Sequence, residues 1–343
     1  MKYHFRNLVF EGGGAKGIAY IGALEELQIK GILSNIKRVG GASAGAITAT
    51  LVALNYSIEE IKEIVLKQNF EEFFDDSLGV IRDIKRIIGK YGWYKGDKFR
   101  EWIGMVIEKK TGNKNATFND LIGMKNENGF KELYIIGTNL STGFAEVFSY
   151  EHTPRMCIAD AVRISMSIPF LFVPIVNVRN DYFCDGGLID NYPIKLFDRE
   201  KYIENAECAR RTNYYDKHNV ELKSYKKNIS PYVYNKETLG FRLDTAKEIA
   251  VFRDQAEPVR NPINNFFDFT KAVLFALLNI QESMHLHSDD WQRTIYIDTK
   301  GVKTTQFSLS NEQKIELINA GKEGVRNYFK WFDNPLEQPV NRI

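Results

Sequence analysis

The chain has 343 residues, 44% hydrophobic and 26% charged, with a formal net charge of +2. It is long enough to bury a substantial core in one large α/β domain or two smaller ones, and a charge so near balance leaves no electrostatic footprint for a nucleic-acid binder. The cysteines Cys157, Cys184 and Cys208 are odd in number and lack CxxC spacing, so reduced thiols are expected, with neither disulfide nor zinc.

Residues 6 to 10 read as a first strand, ending in Leu8-Val9-Phe10, and run into the turn Gly12-Gly13-Gly14-Ala15-Lys16-Gly17. Ile18, Ile21, Leu24 and Leu27 then recur at helical spacing, which predicts a helix over about 15 to 29. A second apolar run, Ile36 to Val39, leads to Gly41-Ala42-Ser43-Ala44-Gly45, and Ala44 to Leu54 continues as a small-residue helix suited to burial. Amphipathic helices are expected over 58 to 68 and 97 to 110, the second with Asp97 as its N-cap. Strands follow at Lys131 to Gly137, at Val147 to Tyr150 and at Tyr182-Phe183-Cys184, before the turn Asp185-Gly186-Gly187. Thr294 to Asp298 reads as a last strand, and Ser310 with Gln313 makes a capping box for a closing helix to about Trp331. Helices alternating with apolar strands indicate a three-layer α/β architecture.

Two stretches break this pattern. Lys201 to Lys236 holds eight basic residues against four acidic ones, with tyrosines interleaved. It reads either as a solvated surface insertion or as a cap or membrane-facing patch, since Lys and Arg gain energy near anionic lipid. Ile263 to Ile280 carries Phe266, Phe267, Phe269, Leu274, Phe275, Leu277 and Leu278 but is interrupted by Asp268 and Lys271. It is too short and polar to span a bilayer, and is either a buried core helix or an interfacial one. Met1 to Arg6 contains no apolar signal region, so the cytoplasm is the default expectation, with signal-independent secretion as the alternative.

The chemistry concentrates in the glycine turns. A strand that turns sharply into a helix strains its corner residue, and glycines two before and two after, here Gly41 and Gly45, remove the Cβ atoms that would collide. Ser43 Oγ is thereby exposed at a helix start, where free amides and the helix dipole favour developing negative charge. The earlier turn can bring backbone N–H groups of Gly12, Gly13, Gly14 and Ala15 close to a substrate oxygen, the equipment of an oxyanion hole. A serine hydroxyl needs an adjacent base. If Asp185 serves directly, its carboxylate should be desolvated and its pKa raised, because an ordinary solvated carboxylate is too weak a base. Among the five histidines, His4, His152, His218, His285 and His287, the order Ser43, Asp185, then His285 or His287 also satisfies an α/β-hydrolase triad, although only about forty residues precede the serine. Gly12-x-Gly14-x-x-Gly17 fits a dinucleotide fingerprint, but no acidic residue closes the second strand region Ile36-Lys37-Arg38-Val39-Gly40. The P-loop pattern fails because Gly17 follows Lys16.

In this order the three turns resemble the patatin-like phospholipase family over residues 8–198. Ala159 to Pro169 looks like that family's helix-to-proline segment, and Asn191-Tyr192-Pro193 like the residues after its aspartate turn. The resemblance implies a patatin-like catalytic core over 8–198 with a central, mostly parallel sheet and helices on both faces. The basic insertion or cap at 199–260 and the C-terminal helices and strand at 261–343 would then pack on that core. It also implies a lipid acyl hydrolase with Ser43 as nucleophile and Asp185 as base, Gly186 and Gly187 shaping the aspartate turn, and neither metal nor cofactor. The implied partner is membrane or micellar phospholipid, with peripheral membrane contact; whether an activating protein partner is needed is left open. Lys16 would meet a phospholipid phosphate; otherwise it is a solvated side chain or a partner for Glu11.

Overall fold

In the computed structural model, which describes residues 3–74, 91–225, 229–244, 262–264, 269, 272, 273, 289–304 and 306–343, the runs before the two glycine-rich turns form neighbouring parallel strands. These are β1 (Asn7–Phe10) and β2 (Arg38–Gly41). The sheet is completed by β3 (Glu132–Asn139), β4 (Phe144–Ser149), β5 (Ile175–Val176), β6 (Tyr182–Asp185), β7 (Thr238–Asp244) and β8 (Thr294–Asp298). Its order is β8-β7-β1-β2-β3-β6-β5, with β4 also paired to β3. From β8 to β3 all neighbours are parallel, while β4, β5 and β6 pair antiparallel. Strand ends differ from the sequence expectation where pairing decides them. β2 begins at Arg38 rather than Ile36, because its register against Glu132 starts there.

Helices packed about the sheet include α1 (Ala19–Ile29), α2 (Ala44–Ala53), α3 (Ile58–Lys67), α4 (Asp97–Thr111), α5 (Ile158–Ser165) and α6 (Asn311–Phe332). Every residue of α2 is buried, which its Ala, Gly and Thr content permits. A 3-10 turn, Gly14–Ile18, tightens the chain ahead of α1. The capping box of Ser310 and Gln313 is formed at α6. At α4 the N-cap is Gly96, left-handed at φ 75°, and Asp97 is the first helical residue, so the aspartate complements the helix dipole instead of capping.

The sheet separates two unequal apolar layers. Leu8, Phe10, Val39, Ile135, Phe241 and Ile297 join the large core shared with the helices. On the other face Val9 and Tyr134 meet Tyr192, Ile194, Phe197 and Tyr202. That strap lies flat on the strands: a Cβ on Gly40 would stand 2.4 Å from Leu196 Cδ2, and one on Gly240 1.9 Å from Tyr192 Oη. The helix Asn213–Tyr225 packs outside it, where the Tyr215 hydroxyl donates to buried Asp198.

The basic stretch is more than a solvated insertion. Tyr202, Cys208, Tyr215, Val233 and Tyr234 are buried in it, and the chain then enters the sheet as β7, directly beside β1. Two of its cations pair with carboxylates, Lys201 with Glu151 and Arg210 with Asp289, and just ahead of it Arg199 lies 3.5 Å from the centre of the Tyr232 ring. All three cysteines are free, and burial pushes the Cys184 and Cys208 thiols up to about 12. In the 263–280 run Ile263, Phe269 and Val273 are exposed; Phe266, Phe267, Leu274, Phe275, Leu277 and Leu278 lie outside the described residues, as do His285 and His287. Among the described residues no helix is long and apolar enough to cross a membrane.

Candidate functional site

Ser43 occupies the corner between β2 and α2 with φ 51° and ψ −124°, a backbone conformation that costs a non-glycine residue on the order of 1–3 kcal/mol. The flanking glycines are sterically required. A Cβ on Gly41 would lie 2.5 Å from the Gly45 carbonyl carbon, and one on Gly45 2.3 Å from the Phe10 carbonyl oxygen. The Ser43 amide donates to Ser165 Oγ at 2.9 Å, and Ser165 Oγ donates to the Ile136 carbonyl at 2.6 Å. The Ser43 hydroxyl is buried and stands 3.6 Å from Met166 Sδ.

Register brings Asp185 to the same place. β4 covers one edge of β3 from Tyr134 to Asn139, so β2 and β6 must share the other edge. There Gly41 sits opposite Ile135 and Asp185 opposite Gly137, and the two strands meet end to end at their C-termini. The Asp185 amide donates to the Ser167 carbonyl at 2.9 Å, and Asp185 Oδ1 accepts the Gly187 amide at 2.7 Å. Oδ2 is buried without a hydrogen-bond partner among the described residues. Burial pushes the Asp185 carboxyl up to about 7, against the opposing pull of the Gly187 amide and the Ser43 hydroxyl. Serine and carboxylate are thus close enough to interact, yet their hydrogen bond is not closed. Catalytic hydrogen bonds are often this loose before substrate binds.

The first glycine turn packs against Ser43 and reaches the Asp185 turn through Asn191. A Cβ on Gly12 would lie 3.0 Å from Ser43 Cβ and 2.3 Å from Asn191 Oδ1, and one on Gly187 2.6 Å from that same oxygen. The Gly12 amide donates to the Asn191 carbonyl (3.0 Å) and the Ala15 amide to the Thr304 carbonyl (3.4 Å), whereas the amides of Gly13 and Gly14 have no partner among the described residues. Gly14 is left-handed at φ 53° and a Cβ there would lie 2.1 Å from the Thr304 oxygen. A Cβ on Gly186 would stand 2.3 Å from the Ile136 oxygen. Lys16 is neither solvated nor exposed: it is 9% accessible, and its Nζ donates to the Leu243 carbonyl at 3.3 Å.

Four residues hold this arrangement in roles that sequence reasoning did not assign, although the family resemblance runs through Ser165, Ser167 and Asn191, and Glu11 enters it only as a partner for Lys16. Ser165 fixes the Ser43 amide and Ser167 the Asp185 amide, both from the segment that ends α5. Asn191 bridges the first and third turns, with Nδ2 donating to the Gly12 carbonyl at 3.2 Å. Buried Glu11 accepts the Leu243 amide at 2.7 Å and ties the glycine turn to β7. The available signals were polar residues inside apolar runs, Glu11 after Phe10 and the paired serines within Ile164 to Ile168.

Beside Met166 an apolar cleft is lined by Phe70, Phe73, Phe74, Phe99 and Phe172, with Phe307 at its wall. The described histidines lie elsewhere. His4 contacts the Lys236 carbonyl, His152 Nδ1 contacts Ser149 Oγ, and His218 Nδ1 contacts the Tyr214 carbonyl.

Residues 8–198 match the model of the family described as patatin-like phospholipase. An uncharacterized protein of Acanthamoeba polyphaga mimivirus is 30% identical over 323 residues, covering 94% of this chain and 92% of its own length. A probable lipid hydrolase of Invertebrate iridescent virus 6 is 27% identical over 230 residues, covering 66% of this chain and 73% of that one. The crystal structure of VipD from Legionella pneumophila shares the fold with a TM-score of 0.60 at 20% identity, over 96% of this chain and 67% of that chain.

Proposed function

The chain belongs to the patatin-like phospholipase family, and from that premise we propose that it is a serine hydrolase cleaving carboxylic ester bonds of phospholipids through a Ser43–Asp185 dyad and an acyl-enzyme. One observation carries the reading. A serine in a strained turn and a buried carboxylate raised to about 7 are held at the meeting ends of two strands on one edge of β3. A carboxylate near neutrality is a competent base at physiological pH.

Asp185 takes the Ser43 proton as Oγ bonds to the ester carbonyl carbon, and the carbonyl oxygen becomes the oxyanion. The unpartnered Gly13 and Gly14 amides are the donors best placed to receive it. Collapse breaks the bond to the leaving alcohol, which takes the proton from Asp185. Asp185 then accepts a proton from water as that water attacks the acyl carbon, and returns it to Ser43 as the acid departs. The aromatic cleft beside Met166, with Arg163 also in its wall, is apolar but holds only about 20 Å³, so an acyl chain entering it would have to displace its rings. A lipid phosphate would have to draw the Lys16 ammonium away from the Leu243 carbonyl.

The test combines a fluorophosphonate probe with hydrolysis of defined phospholipids read by mass spectrometry. Ser43→Ala should lose both labelling and hydrolysis, Asp185→Asn should lose hydrolysis, and replacing His285 and His287 together should leave turnover unchanged. Full hydrolysis by Asp185→Asn, or collapse in the histidine variant, would overturn the dyad.

A further inference from the structure

The end of the sheet next to Asp185 carries an apolar surface with two exposed cations, Arg179 and Lys95. The β3–β4 hairpin exposes Leu140 and Phe144, the latter 71% accessible, and the β5–β6 hairpin exposes Val176, Val178 and Tyr182. These tips are stitched side by side: the Leu140 amide donates to the Tyr182 carbonyl at 2.8 Å, and the Tyr182 amide to Ser141 Oγ at 2.9 Å. A short parallel ribbon, Gly92–Tyr94 with Phe170–Phe172, extends the surface, because the Tyr91 and Tyr182 rings lie 5.7 Å apart.

Two features mark it as more than scattered surface apolarity. Tyr91 and Phe170 are both left-handed, at φ 63° and 66°, and both are about half exposed. Bulky residues rarely adopt that conformation, so the fold holds two aromatic rings outward at a conformational cost. The most exposed charges on the tips and ribbon are cations. Among the described residues these are Arg179 and Lys95, whereas Asp181 and Glu146 are part-buried and hydrogen-bonded with Asn177 and Asn139; exposed Asp97 lies just beyond the ribbon, at the start of α4. Aromatic and aliphatic tips flanked by cations form the composition of a membrane-interface anchor.

The surface adjoins the candidate site. Phe170 follows Met166 by four residues, and Tyr182 precedes Asp185 by three on β6. We infer that these hairpin tips and the Tyr91–Phe170 ribbon seat on the leaflet of an anionic phospholipid bilayer, with the mouth of the Ser43–Asp185 site facing the lipid. This rests on the lipid hydrolase reading for its occupant.

The experiment separates docking from chemistry. Sedimentation with vesicles of phosphatidylcholine, with and without phosphatidylglycerol, is measured in a Ser43→Ala background so that the lipid stays intact. The anionic vesicles should bind. Phe144→Asp with Val178→Asp should weaken that binding at least about tenfold, and Arg179→Glu should remove the preference for anionic over neutral vesicles. In chains that retain Ser43, the same tip changes should leave hydrolysis of a short soluble ester within about twofold, which also reports a sound fold. Undiminished vesicle binding by the double variant overturns the inference, as does a parent chain that ignores both kinds of vesicle, which would give this surface to a protein partner. If the tip changes abolish vesicle binding but no ester is cleaved even by the unaltered chain, the docking surface stands and the hydrolase reading falls.

Discussion

Asp185→Asn should stabilise the fold at alkaline pH while it removes activity. The carboxyl is buried with one oxygen unpartnered, and burial pushes it from an ordinary value near 3.8 up to about 7. Below about 3.8 both the folded and the unfolded chain hold the proton, and the group carries no penalty. As pH rises the unfolded chain ionises first, and above 7 the folded chain bears the whole cost of a buried charge. The gap spans roughly three pH units at about 1.4 kcal/mol each, so the loss is on the order of 4 kcal/mol between pH 4 and 8. Asparagine cannot ionise, and its carbonyl oxygen can still accept the Gly187 amide. Urea denaturation of both proteins from pH 4 to 8 should therefore give a stability difference that grows with pH in favour of the variant, by about 2–4 kcal/mol. Asp190 is also raised to about 7 by burial, but it is present in both proteins and cancels in the difference. Activity has the same origin and the opposite trend: kcat/KM of the unaltered enzyme should fall about tenfold per pH unit below 7, where the base is protonated. A stability difference that stays flat across the range would refute the argument, because the carboxyl would then be no more costly to ionise than one in water.

Ser43→Gly should raise the unfolding midpoint by relieving the φ 51° corner, whereas Ser43→Ala should not, and thermal unfolding of the two inactive variants compares them directly. Ser165→Ala removes the acceptor for the Ser43 amide and should lower kcat about tenfold or more with little change in KM for a soluble ester; an unchanged kcat would leave Ser165 without a positioning role. Lys16→Ala should reduce phospholipid cleavage more than cleavage of a neutral short-chain ester if its ammonium meets phosphate, and should reduce both equally if it only fastens the glycine turn to β7.

The proposed nucleophile Ser43 and base Asp185 stand out in the sequence because the turns that carry them demand particular residues. Only glycine fits at 41 and 45, and the Asp185 turn needs its glycine where a Cβ would strike the Ile136 oxygen. Helices α1, α2, α3, α4 and α6 were legible from periodicity, composition and caps, whereas α5 was marked only by the family resemblance and the helix Asn213–Tyr225 was not read. Ser165, Ser167 and Asn191 lay in segments marked by the family resemblance, but their contacts were not legible, because they act across the chain, Ser165 bonding a residue 122 positions away, and no local pattern encodes such a contact. β7 was hidden for another reason. It falls in the 199–260 stretch that reads as an insertion or cap, and its charged Arg242 and Asp244 interrupt the apolar pattern, yet both are buried and paired with each other at 2.8 Å. The N-cap of α4 was assigned one residue late because the preference of aspartate for caps competes with a glycine that can adopt the left-handed conformation.

The end-to-end meeting of β2 and β6 makes β3 a ruler. Nucleophile and carboxylate are spaced by the step from Ile135 to Gly137 on a single strand, and neither rides on a long loop. The hairpins beyond Asn139 and Val176 can therefore lengthen, change composition or bend against a surface without altering the separation of the reacting groups. A one-residue insertion within β3, by contrast, would reverse which face each carries and dismantle the pair at a stroke.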